Sequence, residues 1–304
     1  MFEKLGIVTN IWSKRMGNGD RFEDLVVQFG ENGFKDMEVR DGDYFRNSAF
    51  GEMVQEIETA MESYSDGEWK QICEKVWQDE NECEFIKPEH QSLVARVGEF
   101  AKKAAALTLS YAIAHAWLSR PADLEADNKR IITAKKNSYL LCPHKARLRL
   151  VDLGSESEID PHIAVGNVKR YRSLLPNYPI VFAVENARQP ADFTLNLAMG
   201  GGALLTYDEA NVYQADGSTL NEPETFWEAV TLENITTVHF KQKTEDGVLS
   251  QVGDGFVDFG AIAHRLKVGG YKGDLLLENI ATDQPLADAI KSREYLLKVE
   301  GQLS

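Results

Sequence analysis

Short apolar runs recur along the chain, separated by stretches whose apolar residues fall at helical spacing. The most informative run is Ile235-Thr-Thr-Val-His239-Phe-Lys241, largely apolar until it ends on a histidine and, two residues on, a lysine. Strand side chains alternate faces, so His239 and Lys241 point to one side. A near-continuous apolar run fits a strand covered on both faces, as in a parallel sheet. The same pattern predicts strands at 4–10, 36–40, 106–113, 147–153, 180–185, 203–208 and 274–278. Helices are predicted at 21–30, 123–141, 162–175, 192–199, around Phe226, at 258–268 and at 285–299, with Gly200, Gly201 and Gly202 stopping the fifth crossover helix. Strand-then-helix units without a competing hairpin signal point to a parallel sheet, and eight of them to a closed (β/α)8 barrel spanning 1–304 as one domain. A doubly wound open sheet is the alternative.

One stretch departs from this alternation. From about 45 to 103 the pattern is helical, acidic and aromatic, and too long for an ordinary crossover. It reads as a helical insertion between strands two and three that covers the barrel mouth or makes a subunit contact in a homo-oligomer. The net charge of -15 argues against a nucleic-acid partner, because such binding rests on Lys and Arg neutralising phosphates. No apolar run is long enough to span a bilayer, and the N-terminus runs straight into a strand without signal-peptide features. Cys73, Cys83 and Cys142 lack paired metal-type spacing, which fits a reducing cytoplasm.

Polar groups at the C-terminal ends of barrel strands lie where this architecture carries its chemistry. Glu185, Asp208, His239 and Glu278 end strands five to eight in order, so a closed barrel brings them to one rim. Three carboxylates and one imidazole make an oxygen-rich set that suits Mn2+, Mg2+ or Co2+ better than a thiolate-type structural zinc site. Taken singly, each residue is equally well a solvated strand end or a helix cap; four in consecutive units are harder to explain that way.

The motifs Val184-Glu185-Asn186, Tyr207-Asp208-Glu-Ala-Asn211, Val238-His239-Phe-Lys241, Gly253-Asp-Gly-Phe-Val-Asp258-Phe and Gly270-Tyr-Lys-Gly-Asp-Leu-Leu-Leu-Glu278-Asn stand in this order. In order and spacing the chain resembles the sugar phosphate isomerase/epimerase family, the xylose isomerase-like barrels that include ketose 3-epimerases, inosose dehydratases and endonuclease IV relatives. The N-terminal half matches only in strand-helix order, with Glu38 ending strand two. The resemblance implies that Glu185, Asp208, His239 and Glu278 hold one divalent ion, Mn2+ by preference with Mg2+, Co2+ or Zn2+ as alternatives, and that Glu185 and Glu278 also move protons. Two departures stand out: Gln242 follows the lysine where the family often has Asp, and Asn211 stands where a histidine is common. With six histidines in the chain and His239 the sole one in a matching motif, a multi-zinc nuclease site is disfavoured.

Lys241, Asn211, Arg188, His115, Glu38 and Trp12 are the candidate substrate contacts around this set. Arg188 reads more readily as the partner of a neighbouring carboxylate than as a substrate contact, and Trp12 as packing rather than a platform for a sugar ring. The expectation is a cytoplasmic, metal-dependent isomerase or epimerase of a small ketose, aldose or related polyhydroxy ketone. A keto-sugar or inosose dehydratase, a non-catalytic sugar-binding barrel and a DNA-repair nuclease are the alternatives.

Overall fold

The computed structural model of the chain describes residues 1–78 and 86–303. Eight parallel strands close into a barrel: β1 Gly6–Val8, β2 Asp36–Arg40, β3 Thr108–Ala114, β4 Arg147–Val151, β5 Val181–Glu185, β6 Leu204–Asp208, β7 Ile235–Phe240 and β8 Asp274–Leu277. Every neighbour in the ring is parallel, and β1 closes it by pairing with both β8 and β2. Helices Phe22–Glu31, Ala126–Leu141, Pro161–Ser173, Ala191–Gly201, Phe259–Val268 and Pro285–Gly301 surround it. Their boundaries follow local chemistry. Asp160 and Asp258 accept backbone N–H bonds at two N-termini, and Gly202, at φ +75°, ends another helix in the left-handed conformation that an L side chain resists. No helix among the described residues is long and apolar enough to cross a membrane.

Two expectations change. A small antiparallel hairpin, Lys243–Thr244 against Gly247–Val248, follows β7 before the next helix, where no hairpin was expected. Its two-residue turn is Glu245-Asp246, and Gly247, which opens the second strand at φ +107°, is the local cue between strands too short to show alternation. The third strand begins at Thr108 instead of 106, because Leu107 N–H still bonds Ala104 O at the end of the preceding helix.

The 45–103 region is helical where described, with Ala49–Met61, Asp66–Trp77 and Gln91–Ala104. Ser65 and Glu68 form a capping box at the start of the second of these helices. The three helices pack on one another and on Phe22–Glu31 and Ala126–Leu141, so they thicken the flank of the barrel. Cys73 and Cys142 are buried free thiols, and Cys83 lies outside the described residues.

The barrel interior carries charge in layers. Near the strand starts, Arg147 on β4 reaches Asp274 on β8, across the barrel. The outward face of β6 packs Tyr207 on Phe226 and Trp227, with ring centroids 4.5 and 4.8 Å apart. Just beyond β6 the buried Glu209 accepts hydrogen bonds from Trp227 Nε1 (2.7 Å) and Tyr207 OH (3.1 Å).

Barrel closure at β1 depends on Gly6: a Cβ there would lie 2.0 Å from the Asp36 carbonyl oxygen and 2.6 Å from Leu276 Cδ2. Gly6→Ala should therefore cost about 1–3 kcal/mol in denaturant unfolding, since backbone cannot yield as a side chain does. Gly67→Ala, in a helix with nothing within 4 Å, is the control and should be neutral or stabilising by up to about 1 kcal/mol.

Burial pushes the Glu209 carboxyl up from 4.5 to about 7, with the Trp227 and Tyr207 bonds pulling the other way. The fold thus favours its protonated form, and this contribution is fully present below 4.5 and lost as pH rises through about 7. Glu209→Gln, which keeps an acceptor oxygen, should raise Tm relative to the parent at pH 8 and by much less near pH 5. An equal difference at both values would rule out this linkage.

Candidate metal centre

Strand register sets the site. Asp208 on β6 pairs with His239 on β7, Glu185 on β5 with Thr206 on β6, and Glu278 N–H donates to Phe240 O beside β7 (3.1 Å). Register therefore brings the four strand-end groups to neighbouring positions on one rim. Asn186 locks two of these ends together, donating to Asp208 O (2.8 Å) and accepting from Asp208 N–H (2.9 Å).

Glu185, Asp208, His239 and Glu278 are all buried, and their ligand atoms lie within 4.8 Å of one another. His239 Nδ1 is 3.4 Å from both Glu185 Oε1 and Glu278 Oε2, and 4.0 Å from Asp208 Oδ2. Neither ring nitrogen of His239 makes a hydrogen bond, while Asp208 Oδ2 is held by the Lys241 ammonium at 2.6 Å. Mg2+ and first-row divalent ions bind such groups at about 2.0–2.2 Å, so donor atoms roughly 3–4 Å apart can share one ion. A buried imidazole left without hydrogen bonds, beside three carboxylates at that spacing, fits a divalent ion.

Two cations share the cluster. Arg149, buried on β4, pairs with Glu185 through one nitrogen and with Glu38 through another, and lies 3.8 Å from Glu278 Oε1. Lys241 Nζ sits 2.6 Å from Asp208 Oδ2, 3.1 Å from Glu278 Oε2 and 3.0 Å from Asn211 Oδ1. With the His239 imidazole neutral, as a metal ligand must be, the carboxylates Glu38, Glu185, Asp208 and Glu278 outnumber Arg149 and Lys241 by two charges, the charge of one divalent ion.

Burial pulls the His239 imidazole down, but Glu278 and Glu185 outweigh it and push it up to about 10. Burial likewise raises Asp208 to about 6, although Lys241 opposes this. Glu185 stays below the usual carboxylate range because Arg149 more than offsets its burial. Lys241 and His239 hold Glu278 further down against the same penalty. Both glutamates are consequently ionised at neutral pH.

The structure brings Glu38, Lys241 and Asn211 into this cluster. Glu38 Oε1 is 3.7 Å from His239 Nε2, and Asn211 Nδ2 donates to Asn186 O (3.0 Å) and Glu185 Oε1 (3.3 Å). Arg188 lines the cleft of about 260 Å3 above it, on the turn after β5. It is exposed and makes no ion pair among the described residues, which corrects the carboxylate pairing expected of it.

Trp12 and His115 stand apart from the cleft. Trp12 is fully buried, edge-on to Phe22 and Phe29, which is the packing role. His115 hydrogen-bonds Arg120 (2.6 Å) and lies edge-on to Trp117, and burial with Arg130 and Arg120 lowers its pKa. Gln242 donates to Gly253 O (2.6 Å) and Val257 O (3.2 Å) while its oxygen accepts from Val257 N–H (3.0 Å). An aspartate there could only accept, so the departure from the family pattern anchors the following loop.

Arg149 is the residue that reading strand ends missed. Its signal was a charge in mid-strand between Leu148 and Leu150, which alternation turns into the barrel interior.

No family model and no curated protein matches the sequence. Solved structures resemble it along nearly its whole length. A xylose isomerase domain containing protein from Salmonella typhimurium aligns over 100% of this chain and 98% of its own, at TM-score 0.62 and 14% identity. A xylose isomerase-like TIM barrel protein from Mycobacterium smegmatis, in complex with magnesium, covers 99% and 98% at TM-score 0.61 and 16% identity. D-Psicose 3-epimerase from Clostridium cellulolyticum, with D-tagatose, covers 99% of each chain at TM-score 0.57 and 12% identity. Identity this low speaks to architecture. By that architecture, the chain is a closed (β/α)8 barrel, similar in fold to the xylose isomerase-like TIM barrels.

Proposed function

We propose that the protein is a divalent-metal-dependent isomerase or epimerase of a small ketose, aldose or related polyhydroxy ketone, working by proton transfer through an enediolate. The observation that carries this reading is the convergence of Glu185, Asp208, His239 and Glu278 beneath a cleft of about 260 Å3, a size suited to one small sugar. The epimerase and the magnesium complex among the similar structures support it. Those four residues would hold the ion, and their oxygen-rich set favours Mn2+, Mg2+ or Co2+, with Mn2+ our choice.

When bound, a divalent ion supplies Lewis acidity toward the oxygens of an α-hydroxycarbonyl and so acidifies the adjacent C–H. Glu185 is then the base. Arg149 holds its Oε2 and keeps it ionised, leaving Oε1 on the His239 side. Glu278, from β8, stands on the other side of His239 and returns a proton to the second face of the planar intermediate. Because both glutamates rest ionised, the returned proton is drawn from water through the cleft. Lys241, already bonded to Asn211, offers its ammonium to a substrate oxygen as charge develops there.

Protein purified without chelator should contain about one equivalent of divalent metal by elemental analysis, and Glu278→Gln or His239→Ala should each deplete it. In a screen of ketoses and aldoses with Mn2+ in D2O, the product should gain deuterium at the carbon that changes. Glu185→Gln should slow turnover by roughly 10²- to 10⁴-fold while the metal stays bound in part. Turnover without deuterium gain would contradict the proton-transfer mechanism, and product formed with loss of water would mark a dehydratase instead.

A further inference from the structure

The lining of the cleft above the candidate metal centre is richer in cations than this acidic chain as a whole. The chain carries 48 acidic against 33 basic residues, yet Arg40, Arg149, Arg188 and Lys241 line this cleft beside only two carboxylates, Glu185 and Glu278. Two of these cations are already committed, since Arg149 and Lys241 are buried against the carboxylates below. Arg40 and Arg188 are not. Arg188 is exposed and without an ion pair among the described residues, and Glu158, which feels its charge, is engaged in a capping box with Ser155. Arg40, at the end of β2, spends its Nε on Asp43 (2.8 Å), which leaves the other guanidinium donors for a ligand.

Between these two arginines the wall is formed by β3, β4 and the turn after β4 and is apolar, with Ala112, Ile113, Ala114, Val151 and Leu153. Side-chain polarity is thus concentrated on the floor, where the carboxylates and Lys241 converge, and on the two arginines. The larger depression at the opposite end of the barrel, about 580 Å3, also contains lysines, but Lys145 there is held by Asp36 and Asp274. It has none of the site residues.

Resting on the function proposed above, we infer that the substrate carries an anionic terminal group, a phosphate or a carboxylate, gripped by Arg188 and Arg40 while its carbonyl end reaches the metal ligands. Guanidinium groups suit both anions because their fork of N–H donors matches the oxygen spacing. A cleft of this volume admits one short chain with such a group and excludes an oligosaccharide. The anion also fixes which end of an open-chain sugar enters first, and hence which carbon meets Glu185 and Glu278.

The test measures binding to the Mn2+-loaded protein of three compounds of equal carbon count: a neutral pentulose, its terminal phosphate and the corresponding terminal carboxylate. Titration calorimetry at low and at moderate salt is the readout. At least one anionic compound should bind 10-fold or more tightly than the neutral sugar, and the preference should shrink with salt. The better of the two identifies the group. Arg188→Gln and Arg40→Gln should each cut the ratio of anionic to neutral affinity by about 10- to 100-fold, with metal content unchanged. Equal affinity for all three compounds, or a ratio unmoved in both variants, overturns the inference. Anionic preference in a protein that neither holds metal nor exchanges solvent deuterium upholds it and overturns the enzymatic reading instead.

Discussion

Placing four carboxylates inside a barrel is the constraint on which the rest of this structure depends. Glu38, Glu185, Asp208 and Glu278 are each under a tenth exposed, and a buried charge is tolerated only when paired and hydrogen-bonded. Arg149 supplies the fixed part of that pairing. It projects from the middle of β4 into the barrel, with Glu38 from β2 and Glu185 from β5 as its two partners. Burial works against its charge, and the surrounding glutamates outweigh that penalty. Lys241 covers Asp208 and Glu278 from the other side, on a flexible stem that also reaches Asn211. The division is chemical: a planar guanidinium bridges Glu38 and Glu185, and a compact ammonium is shared among Asp208, Glu278 and Asn211.

The fold makes this arrangement affordable by fixing it from several independent directions. Parallel register delivers the strand ends, the Asn186 clamp couples β5 to β6, and Gln242 ties the loop after β7 back onto that strand. Each device uses backbone or amide groups rather than further charges, so it orients the carboxylates without shifting the balance among them. The pairing residues come from β2, β4 and the ends of β5 to β8, which is why a closed ring, rather than an open sheet, suits the site.

Much of this was legible in the sequence because strand ends are marked by chemistry. Glu185, Asp208 and His239 are polar residues that end apolar runs, and Glu278 follows one directly, so the barrel and the cluster at its rim could be read together. Arg149 was not read, since a charge flanked by leucines resembles an ordinary alternating strand until its partners on β2 and β5 are known. Trp12 was ambiguous for the opposite reason: an aromatic after a strand packs or binds depending on its neighbours, and Phe22 and Phe29 decide for packing. The hairpin after β7 was hidden by its length, two residues to a strand. Sequence pattern reports which face a side chain takes; it does not report which charge waits there.

The most direct test of the account is a double-mutant cycle on the Arg149–Glu38 pair, read by denaturant unfolding of metal-free protein. Arg149→Met alone should cost about 3–5 kcal/mol, because it strands two buried carboxylates. Glu38→Gln in that background should recover part of the loss, giving a coupling of about 1 kcal/mol or more between the two sites. Additive effects, or an Arg149→Met protein as stable as the parent, would contradict the claim that this arginine holds the buried carboxylates in place.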